Sequence, residues 1–362
     1  TYKLLTVTYF TVCAVITICT HWLFRSRREK FLDQLMLIVP GSRSAFRHRL
    51  AWLASSLCIT AKLGAAMSTK TIDSHLHVWA NGDEASQAFP YVQEPPDNLK
   101  DLASTDELLK QMDAHGIDGA LIVQPINHKF DHSYIMAAVQ NHPKRFKGML
   151  LHDPSLSAEK AVETLEDLAL KGCVGVRFNP YLWPKLSAQS WEPMSKGSGL
   201  AVYKRCAELN MPVGIMCFQG LELHYDDILA LLDSSPDTIL ILDHFGFTSL
   251  EKPLTFNKLL GLAKFPQVYV KISALFRLSD TSPYERVREE RFLPLLHAFG
   301  SDRLMYGSDF PFVLEHPEQY GMVTRVSSWI DNEKDRINIL GGTAENVFGP
   351  WGIDSPKTDK NT

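Results

Sequence analysis

Thr71-Ile72-Asp73-Ser74-His75-Leu76-His77 opens as a short apolar run and ends in a His-x-His pair. In an extended strand, residues two apart project to the same face, so Asp73, His75 and His77 share one side of the strand end. Three polar side chains placed there point to chemistry rather than packing. From this strand onward, short β-branched or apolar runs alternate with longer amphipathic ones. The pattern predicts strands at 71–75, 119–124, 146–151, 174–178, 213–217, 239–243, 268–272 and 303–306, and helices at 105–115, 158–170, 199–209, 226–233 and 283–299. Eight strands separated by helices predict an α/β fold, specifically a closed (β/α)8 TIM-type barrel. No Gly-x-Gly-x-x-Gly follows the first strand, which argues against a dinucleotide-binding sheet.

The 362 residues, 45% hydrophobic and 22% charged, can bury one large core or two moderate ones. A net charge of -4 leaves no basic footprint for nucleic acid, so a small molecule is the expected partner. The six cysteines, Cys13, Cys19, Cys58, Cys173, Cys206 and Cys217, include no Cys-x-x-Cys pair and read as free thiols.

Composition changes near Met67, dividing the chain into an extension (1–66), a barrel (67–350) and a polar tail (351–362). Three readings of the extension stand side by side. Residues 4–24 carry no charge and are followed by Arg25, Arg27, Arg28 and Lys30, long enough for a membrane anchor. The stretch 34–72, free of Asp and Glu and bearing Arg43, Arg47 and Arg49, has the composition of an organellar transit peptide. Alternatively Met67 is the working start and the barrel is cytoplasmic.

Active-site residues of a barrel lie at the C-terminal strand ends. Those ends collect Asp73, His75 and His77, then Gln124, His152 and Asp153, Arg177 and Asn179, Asp243 and His244, Lys271 and Ser273, and finally Ser308 and Asp309. The pair His75 and His77 can chelate a divalent ion through two ring nitrogens. Asp309, in Tyr306-Gly307-Ser308-Asp309-Phe310-Pro311, can cap the next helix or take a proton from water. His244 is placed to polarise a carbonyl, and the planar fork of Arg177 suits a substrate carboxylate. Gln124, Asn179 and Lys271 are the remaining candidates for substrate contact.

Taken together these motifs resemble the amidohydrolase-related (amidohydrolase 2) family, in the branch of dicarboxylate and sugar lactonases and nonoxidative decarboxylases. The matching segments are Ile72 to Trp79, Gly175-Val176-Arg177, Ile241 to Gly246, Val268 to Ser273 and Asp302 to Pro311, in the family's order. The resemblance implies a distorted barrel with His75, His77, His244 and Asp309 around one pocket. It also implies a metal-binding histidine at the end of strand five, where this chain reads Val213-Gly214-Ile215-Met216-Cys217. One divalent ion such as zinc or manganese on His75, His77 and Asp309, with Cys217, His224 or Glu222 reaching in, is one expectation. Metal-free hydrolysis of a lactone, with Asp309 activating water and the histidines polarising the acyl oxygen, is the other, and the absent histidine leans toward it. A metal-dependent hydrolase or decarboxylase and a non-catalytic metabolite-binding barrel are the alternatives. The loops 79–100 and 181–199, rich in Trp, Pro and Tyr, are expected to wall the pocket.

Overall fold

The structure, a computed structural model, describes residues 70–279 and 281–352. The anchor, transit-peptide and Met67-start readings, and all but the first two residues of the polar tail, lie outside the described residues. Among the described residues no helix is long and apolar enough to cross a membrane.

Eight parallel strands form the barrel: β1 Ile72–Leu76, β2 Gly119–Val123, β3 Phe146–Leu151, β4 Cys173–Phe178, β5 Val213–Ile215, β6 Leu240–Leu242, β7 Val268–Ser273 and β8 Leu304–Gly307. They pair in sequence order. The helices Thr105–Ala114, Ala158–Leu170, Gly197–Leu209 and Tyr225–Ser234 follow their strands as the periodicity predicts. Closure between β8 and β1 runs just past the strand ends, where Asp309 N–H donates to the His75 carbonyl (2.9 Å) and His77 N–H to that of Phe310 (2.7 Å).

Alternation along each strand sorts residues between two apolar layers. Leu240 and Leu242 of β6, and Val268, Val270 and Ile272 of β7, pack in the large outer layer. Ile72, Leu121, Val123, Met149, Ile241 and Met305 form a smaller cluster with Val347, Phe348 and Trp351 from the chain's C-terminal end. One pleat above Ile241 the same face of β6 leads to Asp243, and the same alternation brings Lys271 on β7 and Arg177 on β4 inward. The barrel interior is therefore apolar at the bottom and charged at the top, all of it buried.

Gly307 makes this closure possible. A Cβ at that position would lie 2.7 Å from His75 Cβ and 3.0 Å from the His75 nitrogen, so only glycine lets β8 approach β1 this closely. Gly307→Ala is expected to cost about 1–3 kcal/mol through overpacking and to displace His75. Urea unfolding monitored alongside turnover checks both effects.

Two departures from the sequence pattern have local causes. The helix expected at 283–299 is broken into Glu285–Val287, a π turn at Arg288–Phe292 and Leu293–Phe299. Pro294 has no N–H to give and clashes with the carbonyl four residues back, so the ladder shifts by one residue before it. Strands five and six stop at Ile215 and Leu242, short of Cys217 and Asp243. After β6 the chain turns sharply, with His244, Phe245, Gly246 and Phe247 all at positive φ.

Candidate active site

Asp309 occupies the centre of the barrel mouth in a left-handed conformation (φ 64°), which aspartate tolerates better than most residues and which the surrounding turn holds. Asp73 supplies part of that hold. Its carboxylate accepts from Ser308 N–H (2.9 Å), Ser308 Oγ (2.5 Å) and Tyr320 OH (3.0 Å), clipping β1 to the turn before Asp309. Burial raises the Asp73 pKa to about 6 against the lowering effect of these bonds. Asp73 thus serves position rather than substrate.

Asp309 divides its two oxygens. Oδ2 accepts from Arg277 Nε (2.8 Å) and Nη2 (2.6 Å). Oδ1 is buried without a hydrogen-bond partner and faces three imidazole nitrogens: His77 Nε2 at 3.6 Å, His244 Nε2 at 3.7 Å and His75 Nε2 at 3.9 Å. Burial raises the Asp309 pKa above the ordinary carboxylate value, with Arg277 and Arg177 pulling the other way.

Each imidazole is anchored through its far nitrogen. His77 Nδ1 lies 2.8 Å from the Val123 carbonyl, His244 Nδ1 lies 2.8 Å from Ser273 Oγ, and His75 Nδ1 lies 3.1 Å from Asp243 Oδ1. A carbonyl only accepts, so His77 carries its hydrogen on Nδ1 and presents a lone pair on Nε2. Burial lowers all three imidazole pKa values, to about 3 for His75 and well below 6.5 for His77 and His244. The rings are neutral at pH 7, and His77 therefore has no Nε2 hydrogen to offer an oxyanion.

Beneath the histidines, Asp243 gathers the charges of the barrel interior. It accepts from Arg177 Nε (3.2 Å) and stands 3.4 Å from Lys271 Nζ, which is itself 3.0 Å from His75 Nδ1. Burial alone would raise the Asp243 pKa, but His75, Lys271 and Arg177 hold it well below the usual range. Asp243→Asn would leave two buried cations without their counter-charge, so a loss of about 3–5 kcal/mol is expected. Chemical denaturation against wild type measures it, and a loss below 1 kcal/mol would show that the cations find other partners.

Most of the other residues expected at the site are engaged within the protein. Gln124 gives both amide hydrogens to its own loop, at the Lys129 and Asp131 carbonyls, and Asn179 caps the turn at Pro180–Leu182. A strand-end position set them on the rim, where the Gln124 amide nitrogen and Asn179 Oδ1 bond to the backbone and Gln124 Oε1 stays buried without a partner. Lys271 and Arg177 are bound to Asp243 and support the histidines from below. Cys217 is buried in the outer apolar layer, where burial pushes its thiol pKa up and disfavours a thiolate ligand. His224 contacts Tyr181 (3.3 Å) and Glu222 pairs with Lys252 (2.7 Å), so neither reaches the cluster.

Arg277 was not singled out by the sequence. It sits in the loop after β7, six residues past Lys271, and only its contact with Asp309 marks it. The pocket above the cluster, about 330 Å³, is lined by Phe218, Phe247, Phe276, Arg277, Phe312, Glu315 and His316. Its walls come from the loops after β5 to β8, not from the 79–100 and 181–199 loops expected to form them.

Three of these groups, His75, His244 and Asp309, offer ligand atoms mutually within 4.8 Å, and among the described residues no other such set occurs. Buried donor atoms without partners, aimed at one point and fixed from behind by hydrogen bonds, fit a divalent ion. Within that set Asp309 Oδ1 stands 3.7 Å from His244 Nε2 and 3.9 Å from His75 Nε2, somewhat beyond the roughly 3.4 Å expected between ligands sharing one tetrahedral ion at 2.1 Å.

A parallel barrel with a histidine and aspartate cluster at its C-terminal mouth defines a hydrolase-type (β/α)8 enzyme. The chain belongs to the Amidohydrolase family, whose profile matches residues 72–349. Two proteins named 4-sulfomuconolactone hydrolase are similar to it. One from Rhizobium radiobacter is 27% identical over 80% of this chain and 93% of its own length, and one from Hydrogenophaga intermedia is 26% identical over 76% and 88%. A crystal structure provisionally described as a 2-pyrone-4,6-dicarboxylic acid hydrolase from Pseudomonas putida matches with a TM-score of 0.63 at 26% identity, covering 78% of this chain and 98% of that one.

Proposed function

We propose that this chain hydrolyses the ester bond of a lactone, with Asp309 as the general base toward water. The observation that carries the reading is the division of labour within Asp309: Arg277 holds Oδ2, leaving Oδ1 free at the centre of the histidine cluster. The names of the two similar lactone hydrolases and of the Pseudomonas putida structure support the choice of substrate class.

In this reading the water oxygen attacks the acyl carbon while one of its protons passes to Asp309 Oδ1. The ring C–O bond then breaks, and the departing alkoxide recovers that proton, giving a hydroxy acid. Burial raises the Asp309 pKa, which makes its ionised carboxylate a stronger base than that of an exposed aspartate. Arg277 keeps the carboxylate from turning and stands close enough to bind a charged substituent or the acyl oxygen.

With Asp309 ionised, the tautomer of His77 argues for a cation in the cluster, because its lone pair and Asp309 Oδ1 then meet with no hydrogen between them. His75, His244 and Asp309, with His77 beside them, would hold zinc or manganese, which when bound would polarise the lactone carbonyl and acidify the attacking water. Acid release from a panel of five- and six-membered lactones, followed in a pH-stat, tests the reaction. Saturable release is expected; no release above the uncatalysed rate from any member would rule it out.

A further inference from the structure

The pocket mouth is aromatic to an extent that hydrolysis alone does not require. Four phenylalanines line it, each from a different loop: Phe218 after β5, Phe247 after β6, Phe276 after β7 and Phe312 after β8. Two of the rings touch the cluster, Phe247 at 5.0 Å from the His244 ring and Phe312 at 6.1 Å from the His77 ring, while Phe218 packs on Phe247 (5.8 Å) further out. Phe218 is 56% exposed, a large apolar side chain left facing water at the entrance. Arg277 is the one permanently charged cation among the described lining residues, its guanidinium lying over both Phe276 (5.4 Å) and Phe312 (5.3 Å), and His316, stacked on Phe276 at 4.0 Å, is the other basic group. Glu315, bonded to Asn98 at 2.7 Å, sets a carboxylate on the same rim.

Resting on the lactonase reading, we infer that the substrate is a lactone with a planar apolar body, aryl-fused or aryl-substituted, carrying at most one anionic group. Aromatic walls favour a flat ring through stacking and edge contacts and provide no compensation for a desolvated charge. One carboxylate can pair with Arg277, whose planar fork already stands at Asp309. A second would lie against phenylalanine rings or beside Glu315, with only the imidazole of His316, already stacked on Phe276, to meet it. This separates the chain from a hydrolase of the dicarboxylated pyrone named for the Pseudomonas putida structure. Phe247 and Phe312 are the residues assigned to substrate choice.

The test compares kcat/KM for four probes: 3,4-dihydrocoumarin, its 6-carboxylate, δ-valerolactone and 2-pyrone-4,6-dicarboxylate. With wild type, the better of the two aryl-fused lactones should exceed each of the other two probes by roughly a hundredfold. In the double variant Phe247→Leu/Phe312→Leu, which keeps apolar bulk, the preference for aryl-fused lactones over δ-valerolactone should fall roughly tenfold. Preference for the dicarboxylate, or an aryl preference unchanged in the variant, would overturn the inference. Calorimetry with the ring-opened forms keeps the two readings apart. Binding of 3-(2-hydroxyphenyl)propanoate at least about tenfold tighter than 5-hydroxypentanoate is expected for an aromatic monoanion site, and equal binding would overturn it whatever the turnover. Tighter binding of the aryl acid with no hydrolysis of any probe would support the aromatic site and overturn the lactonase reading alone.

Discussion

Asp309→Asn is expected to lower kcat/KM for the preferred lactone by about 10²–10⁴-fold, the usual contribution of a positioned base. The amide oxygen can still accept from Arg277, so the turn at Ser308 and the closure of β8 on β1 should survive. What disappears is the basic oxygen facing the three imidazoles, the group placed to receive the proton of water. Steady-state kinetics together with thermal unfolding separate loss of chemistry from loss of fold. A variant within tenfold of wild type, with unchanged unfolding, would move the base to another residue.

Treatment with a strong chelator is expected to lower turnover by at least about 100-fold, with recovery on adding zinc or manganese. The expectation follows from three features of the cluster. His75 Nε2 and Asp309 Oδ1 are buried without partners, His77 presents a lone pair rather than a hydrogen, and the far nitrogen of every ring is anchored. Elemental analysis of the purified protein, read against activity before and after chelation, decides the matter. Full activity at well under one equivalent of metal would favour a site in which Arg277 alone meets the acyl oxygen. With the ion bound, Asp309 Oδ1 would be ligand as well as base, so the kinetics of Asp309→Asn are read together with its metal content.

The barrel was legible because each of its strands is an apolar run between amphipathic helices, a pattern that leaves few other folds open. His75, His77, His244 and Asp309 were legible for a related reason: strand-end position predicts the rim, and these four turn inward from it. Gln124 and Asn179 occupy equivalent positions, yet their amides turn to their own backbone, a local hydrogen-bond choice that residue type does not reveal. Arg277 and the four phenylalanines lie on loops whose convergence depends on barrel closure, so nothing in their spacing marks them. The strand-five sequence, lacking a histidine, weighed against a metal. Evidence for one came instead from the hydrogen-bond state of His77, set by a carbonyl 46 residues away in sequence.

A single turnover in H₂¹⁸O with enzyme in excess of lactone tests most directly whether Asp309 activates water or attacks the substrate itself. With Asp309 as base, the first-turnover hydroxy acid carries one ¹⁸O in its new carboxylate and Asp309 acquires none. An unlabelled first-turnover product, with ¹⁸O appearing in Asp309, would contradict that role.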